Sequence, residues 1–110
     1  MFTPSTHFMD FHIAGFTFAN GIDVIEDLVL GAKVKLVSEP DNPHDPHAVA
    51  IYFGETHIGY IPRIHTENIW NLLFFGYGDI FVAKISSVFP DNHPEEQFRV
   101  TVKIKDNRKQ

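Results

Sequence analysis

The chain contains no cysteine among its 110 residues. Disulfide scaffolds, thiolate zinc sites, iron–sulfur clusters and cysteine nucleophiles are therefore excluded. Apolar runs are also short: the longest, at 69–75, is interrupted by Asn71 and is well below the roughly 20 residues of a membrane span. Residues 1–7 lack the basic and apolar stretches of a signal peptide. We therefore expect a cytoplasmic protein with no membrane partner.

Cationic side chains are scarce as well. Nine Lys and Arg residues face fourteen Asp and Glu residues, which gives a net charge of −5. A broad surface for duplex DNA needs many cationic contacts to phosphates, so any nucleic-acid function must rest on a small local pocket. The 44% hydrophobic content and eleven Phe residues are typical of a folded chain. We expect a single domain over 1–110, with its core at about 8–105.

Hydrophobic alternation predicts strands, and helical spacing predicts two short helices. The first helix is expected at 22–28, before Gly31, and the second at 69–75, with Thr66 as its N-cap and Gly76 as a left-handed stop. The expected strands are 8–14, 33–37, 48–53, 56–61, 80–89 and 98–105. These elements predict a mainly β fold, a small six-stranded antiparallel barrel of OB-like or SH3-like type with one to two short α-helices.

The most informative segment is 39–51, which reads E-P-D-N-P-H-D-P-H-A-V-A-I. Its three prolines fix φ near −65° at every third residue, so the loop is stiff before anything binds. Asp45 lies in this loop, and Asp side chains often fold back onto backbone N–H groups and hold turns. From the residues alone, Asp45 is either such a turn-former or a ligand-binding carboxylate.

A second run, I-G-Y-I-P-R at 58–63, follows the first after a short hairpin. Together the two runs resemble the HIRAN domain, and the likeness extends from about Phe11 to Leu73. The resemblance implies an OB-like β-barrel that, in the helicase members of the family, captures the 3′ end of single-stranded DNA. It therefore implies a nucleic-acid-binding module with a role in DNA repair or processing.

The resemblance also implies roles for individual residues. Asp45 falls at the position that accepts a hydrogen bond from the terminal hydroxyl, and an ionised carboxylate is acceptor-only toward an O–H. His44, before it, falls where an aromatic side chain stacks on a base. Phe18, after the first strand, falls at the other stacking position.

Three more residues fall at positions implied to contact phosphate. Tyr60 is the hydroxyl donor and Arg63 is the cation. Thr17 stands where the DNA-binding members carry a cation, so one phosphate contact is expected to be missing. With one or two phosphates neutralised, the salt slope for a single strand is only about −0.7 to −1.4, and we expect weak binding, micromolar or poorer.

Two rival chemistries use some of the same residues. His44, His47 and His57 are candidate metal ligands, but Pro46 makes their segment a loop, so convergence on one ion is not implied. We expect no metal or other cofactor. A metal-dependent hydrolase of phosphate esters or anhydrides is the enzymatic alternative, but the chain has neither a phosphate-binding P-loop nor a G-x-S-x-G motif, so we expect no enzyme.

A protein–protein interaction domain that does not bind DNA is the remaining alternative. Trp70, Phe74, Phe75 and Tyr77 supply more aromatic surface than one helix needs to face a small core. Aromatic residues at helical spacing usually belong to the core. If Phe74 or Phe75 points outward, however, a homodimer or another partner surface follows. The sequence leaves monomer and homodimer open.

Overall fold

The computed structural model describes residues 6–106, in which six strands form one sheet. The strands are β1 (Thr6–His12), β2 (Lys33–Glu39), β3 (Ala48–Phe53), β4 (Thr56–Tyr60), β5 (Phe81–Val88) and β6 (Phe98–Ile104). Their order across the sheet is β1-β6-β5-β2-β3-β4, and every pairing is antiparallel. The predicted six-stranded antiparallel fold is confirmed.

The core follows the alternation of the strands. In β6, Phe98, Val100 and Val102 are buried while Lys103 is exposed. The same side of the sheet buries further apolar side chains from the other strands, among them Phe11, Ile51, Ile58 and Ile85. Alternate side chains of a strand point to opposite faces, so one face of the curved sheet encloses the apolar interior.

A backbone bridge joins the two edge strands at one end of the sheet. The N–H of Ala14 donates to the carbonyl of Tyr60 at 2.9 Å, and the N–H of Tyr60 donates back at 2.8 Å. Gly59 permits this approach, because a Cβ there would lie 2.3 Å from Cγ2 of Ile13 and 2.7 Å from the carbonyl oxygen of Ala14. The sheet is therefore a half-barrel, with its edges tied together after β1 and at the end of β4.

The one α-helix within residues 6–106, α1 (Trp70–Phe74), is shorter than predicted. Thr66 does not cap it: the Thr66 hydroxyl donates to the carbonyl of Arg63 at 3.0 Å, because 63–65 already form a 3-10 turn. Gly76 has a φ of 92° and is the predicted left-handed stop. None of the helices in this part of the chain is long and apolar enough to cross a membrane.

The predicted helix at 22–28 is instead a 3-10 segment, Gly21–Asp27, broken at Val24. Tertiary contacts outweigh the helical spacing here. The N–H of Asn20 donates to the carbonyl of His57 at 2.8 Å. Gly21 lies against Phe16, where a Cβ would be 2.2 Å from the ring. Further 3-10 turns occur at Phe16–Phe18, Arg63–His65, Gly78–Ile80 and Pro94–Glu96.

Candidate nucleic-acid interface

Four loops meet at the bridged end of the half-barrel. They follow β1, connect β2 to β3, follow β4 and connect β5 to β6, at 13–18, 40–47, 61–66 and 89–97. The backbone bridge between Ala14 and Tyr60 joins the first and third loops, and the Tyr60 hydroxyl donates to Glu39 at the base of the second. The six residues that the resemblance assigns to DNA binding lie on the first three of these loops or at the end of β4.

Asp45 is held in place by the turn that it helps to form. Asn42 Oδ1 accepts the backbone N–H groups of His44 at 2.8 Å and Asp45 at 3.0 Å. Asp45 Oδ1 in turn accepts the N–H of His47 at 2.9 Å. The turn-forming role of Asp45 is thereby confirmed. This role leaves hydrogen-bonding capacity on the carboxylate, whose two oxygens offer about four lone-pair sites.

The second oxygen of Asp45 faces a cation. Asp45 Oδ2 lies 3.3 Å from Nε of Arg63, on side chains that are 20% and 75% exposed respectively. An ion pair as exposed as this contributes little stability. Its consequence is geometric, since it holds a carboxylate and a largely accessible guanidinium side by side.

A cavity of about 320 Å³ opens beside this pair. It is lined by Asp45, His47, Arg63, Thr66, Glu67, Trp70 and Asn71. The rings of His47 and Trp70 meet edge to face with centroids 4.7 Å apart, so they form an aromatic wall next to Asp45 and Arg63. Sequence reasoning did not assign Trp70 to this site. The signal that could have found it is its place at the start of the helix that follows I-G-Y-I-P-R.

Tyr60 is committed within the protein. Its hydroxyl donates to Glu39 Oε1 at 2.9 Å and accepts from Asn42 Nδ2 at 3.5 Å. Burial, followed by the hydrogen bond to Glu39, raises the pKa of Tyr60 to about 12. A hydroxyl has a single donor, so donation to a phosphate requires Tyr60 to leave Glu39. The phosphate-binding role of Tyr60 stays a prediction.

The two predicted stacking residues are both exposed. Phe18 is 94% exposed on the loop after β1, and the His44 ring is exposed on the proline-rich loop. Thr17, beside Phe18, is bound to a residue that sequence reasoning missed: its N–H and hydroxyl donate to Glu95 at 3.1 and 3.4 Å. The carboxylate of Glu95 therefore lies beside Thr17, at the position where the resemblance implies that the DNA-binding members carry a cation.

The three candidate metal ligands do not form a group. His57 Nε2 bonds to the carbonyl of Gly59 at 2.9 Å, and its ring packs on Tyr52 and Tyr60 with centroids 5.3 and 4.8 Å away. His44 and His47 are exposed on the loop. Within residues 6–106, no group of three or more His, Asp or Glu side chains could hold a metal ion.

The aromatic face of α1 and the turn after it points outward. Phe74, Phe75 and Tyr77 are 44%, 67% and 59% exposed, while Trp70 is half-buried and stacks on Phe74 with centroids 4.7 Å apart. A core position for these three side chains is therefore wrong. The sequence predicts a homodimer or another partner surface if Phe74 or Phe75 points outward, and both side chains are exposed.

Fold and site together define a class of protein: a small β half-barrel whose bridged end carries a loop-built cleft. The profile of the HIRAN domain matches residues 7–105, and the chain belongs to the HIRAN domain family. Domains of this family are binding modules without known catalytic activity, and they generally bind nucleic acids.

Solved structures share the fold. A protein from Lactobacillus plantarum superimposes with a TM-score of 0.74 at 16% identity, covering 92% of this chain and 95% of that one. The HIRAN domain of human HLTF superimposes with a TM-score of 0.59 at 15% identity, covering 93% and 81%. No curated protein matches the chain in sequence.

Proposed function

We propose that this domain recognises the 3′-hydroxyl end of single-stranded DNA and acts in DNA repair or processing. Its family, which generally binds nucleic acids, supports the ligand class. The observation that carries the proposal is the Asp45–Arg63 pair at the edge of the 320 Å³ cavity. The pair sets an acceptor-only group for a hydroxyl beside a cation for the adjoining phosphate.

Asp45 selects the end of the strand. Each of its oxygens is engaged once, by the His47 N–H and by Arg63, and each retains a lone pair for a further donor. A terminal 3′-hydroxyl supplies such a donor. A nucleotide within a strand has no free 3′-hydroxyl, so it loses that hydrogen bond.

Arg63 attracts the phosphate, and exposed aromatic rings stack on the bases. The 75% exposed Arg63 side chain leaves its terminal nitrogens accessible to phosphate oxygens. Phe18 and His44 offer exposed faces for stacking, which is tolerant of base identity. The carboxylate of Glu67 lines the same cavity as Arg63, and that of Glu95 lies beside Thr17. Both repel the phosphates of the strand, which supports weak binding with shallow salt dependence.

The test compares two short fluorescent deoxythymidine oligonucleotides, one with a free 3′-hydroxyl and one with a 3′-phosphate. Fluorescence anisotropy should give at least about tenfold weaker binding for the blocked strand, because a hydrogen bond to a charged acceptor is lost and a dianion faces Asp45. Equal affinities for the two strands would refute end recognition.

Asp45→Ala is the decisive variant, and the ratio between the two strands is its readout. Removing Asp45 also frees Arg63 for phosphate, so the absolute affinity changes for two opposing reasons. The preference for the free end should disappear in Asp45→Ala. Asp45→Asn is the matched control for the fold, because Asn keeps an oxygen that accepts the His47 N–H. A preference that survives in Asp45→Ala would assign end recognition to other residues.

A protein-interaction role is the second candidate, and the exposed aromatic face favours it. Phe74, Phe75 and Tyr77 are 44%, 67% and 59% exposed at the end of α1 and in the turn after it, and the Phe74 and Phe75 rings are in contact. If this face pairs two copies, sedimentation should show a dimer that dissociates on dilution and in Phe75→Ala. A monomer at high concentration would refute self-association through this face, but not contact with a different partner.

A further inference from the structure

Glu95 connects two loops of the site. It lies on the β5–β6 loop and reaches the loop after β1, where its Oε1 accepts the N–H of Gly15 at 2.6 Å. Its Oε2 accepts the N–H and the hydroxyl of Thr17 at 3.1 and 3.4 Å. One carboxylate thus satisfies three donors on the segment that ends in the exposed Phe18.

Both sides of this contact are held in place. His93 Nδ1 accepts the N–H of Glu95 at 3.2 Å and so caps the 3-10 turn at Pro94–Glu96. Gly15 has a φ of 68°, in the left-handed region that favours glycine. That conformation, followed by the turn at Phe16–Phe18, lets the N–H groups of Gly15 and Thr17 point to the same carboxylate.

We infer that Glu95 limits the affinity of this site for DNA, and this inference rests on the proposed function. Its hydrogen bonds position the loop that carries Phe18. Its charge lies against the backbone of Thr17, one residue from the ring on which a base would stack. A phosphate of a strand whose base stacks on Phe18 meets this fixed negative charge, so Glu95 keeps the interaction weak.

Glu95→Gln separates the two roles, because glutamine keeps an acceptor oxygen for the Gly15 N–H but carries no charge. Scaling the repulsion of two unit charges in water from 4 Å to about 6 Å gives about threefold tighter binding for the variant. The gain should shrink between about 0.01 M and about 0.15 M salt, where the Debye length falls from about 30 Å to about 8 Å. A purely structural role for Glu95 predicts weaker binding at both salt concentrations.

Glu96→Gln is the matched control, since Glu96 is the next residue of the same turn, is exposed and loses the same charge. The probe is the labelled deoxythymidine strand with a free 3′-hydroxyl. Glu95→Gln should bind more tightly than both the wild type and Glu96→Gln. Thr17→Lys, at an exposed position beside the same carboxylate, adds the cation that the DNA-binding members carry and should tighten binding whatever the role of Glu95.

The outcomes separate this inference from the proposed function. Binding by the wild type that Glu95→Gln leaves unchanged or weakens overturns the inference and leaves the function standing. Binding that becomes measurable only in Glu95→Gln supports both, whereas a gain confined to Thr17→Lys supports the function and overturns the inference. No binding by any of these proteins refutes the function, and the inference with it.

Discussion

Phe18→Ala is the substitution that most directly tests where the DNA lies. Phe18 is 94% exposed, so its side chain contributes almost no buried area to the fold. Substitutions at such surface positions change the free energy of unfolding by about 0.5 kcal/mol or less. The melting temperature of Phe18→Ala should therefore match that of the wild type, and a loss of binding could not be attributed to unfolding.

The size of the loss follows from the ring. With its face open to solvent, the whole ring is available for one base, and stacking of a base on an aromatic side chain contributes about 1–3 kcal/mol. Since about 1.4 kcal/mol corresponds to a factor of ten, the dissociation constant should rise by about 5- to 150-fold. The loss should hardly depend on salt, because the substitution removes no charge.

The assay is fluorescence anisotropy with the strand that carries a free 3′-hydroxyl, and Phe75→Ala is the control. Phe75 is 67% exposed and belongs to the aromatic face after α1, outside the residues proposed to bind DNA. It should bind as the wild type does. The reverse pattern, with Phe18→Ala unaffected and Phe75→Ala impaired, would refute the reasoning and move the DNA to the aromatic face.

Two further predictions concern the end of β4. Gly59→Ala should lower the free energy of unfolding by about 3 kcal/mol or more in urea titrations, because its Cβ would overlap Ile13 and Ala14; Gly54→Ala, at a φ of 60° with open space around it, should lower it by only about 1–2 kcal/mol. The pKa of Tyr60 is raised from 10.0 to about 12, so the unfolded chain loses this proton at a lower pH than the folded one, and the stabilisation is complete below pH 10 and lost as the pH rises toward 12. Urea midpoints measured across that range should show the wild type losing its advantage over Tyr60→Phe, and an advantage that is constant with pH would contradict the raised pKa that burial and the hydrogen bond to Glu39 produce.

The strands could be predicted from the sequence because their signal is local. The alternation of 98–105 places Phe98, Val100 and Val102 on one face, and the structure buries all three. The second helix was predicted too long because its cap signal is ambiguous. A Thr hydroxyl can cap a following helix or bond to a preceding carbonyl, and Thr66 takes the carbonyl of Arg63.

The site could be predicted only where a single segment builds it. The proline-rich loop forms its own turn around Asn42 and Asp45, and the turn-forming role of Asp45 is predictable from its own segment. The hydrogen-bond partners of Tyr60 and Thr17 could not be predicted in this way, because Glu39 is 21 residues from Tyr60 and Glu95 is 78 residues from Thr17 along the chain. Only the half-barrel brings these groups together, and no local pattern reports it.

The bridge between Ala14 and Tyr60 makes the cleft depend on the integrity of the whole sheet. Phe18 follows one side of the bridge and Arg63 follows the other, and two backbone hydrogen bonds hold the sides together. A brief fraying of either edge strand would separate the loop that carries Phe18 from the loop that carries Arg63. A DNA strand that contacts both loops would oppose this separation. Hydrogen–deuterium exchange at the amides of Ala14 and Tyr60 should therefore slow when the strand is bound.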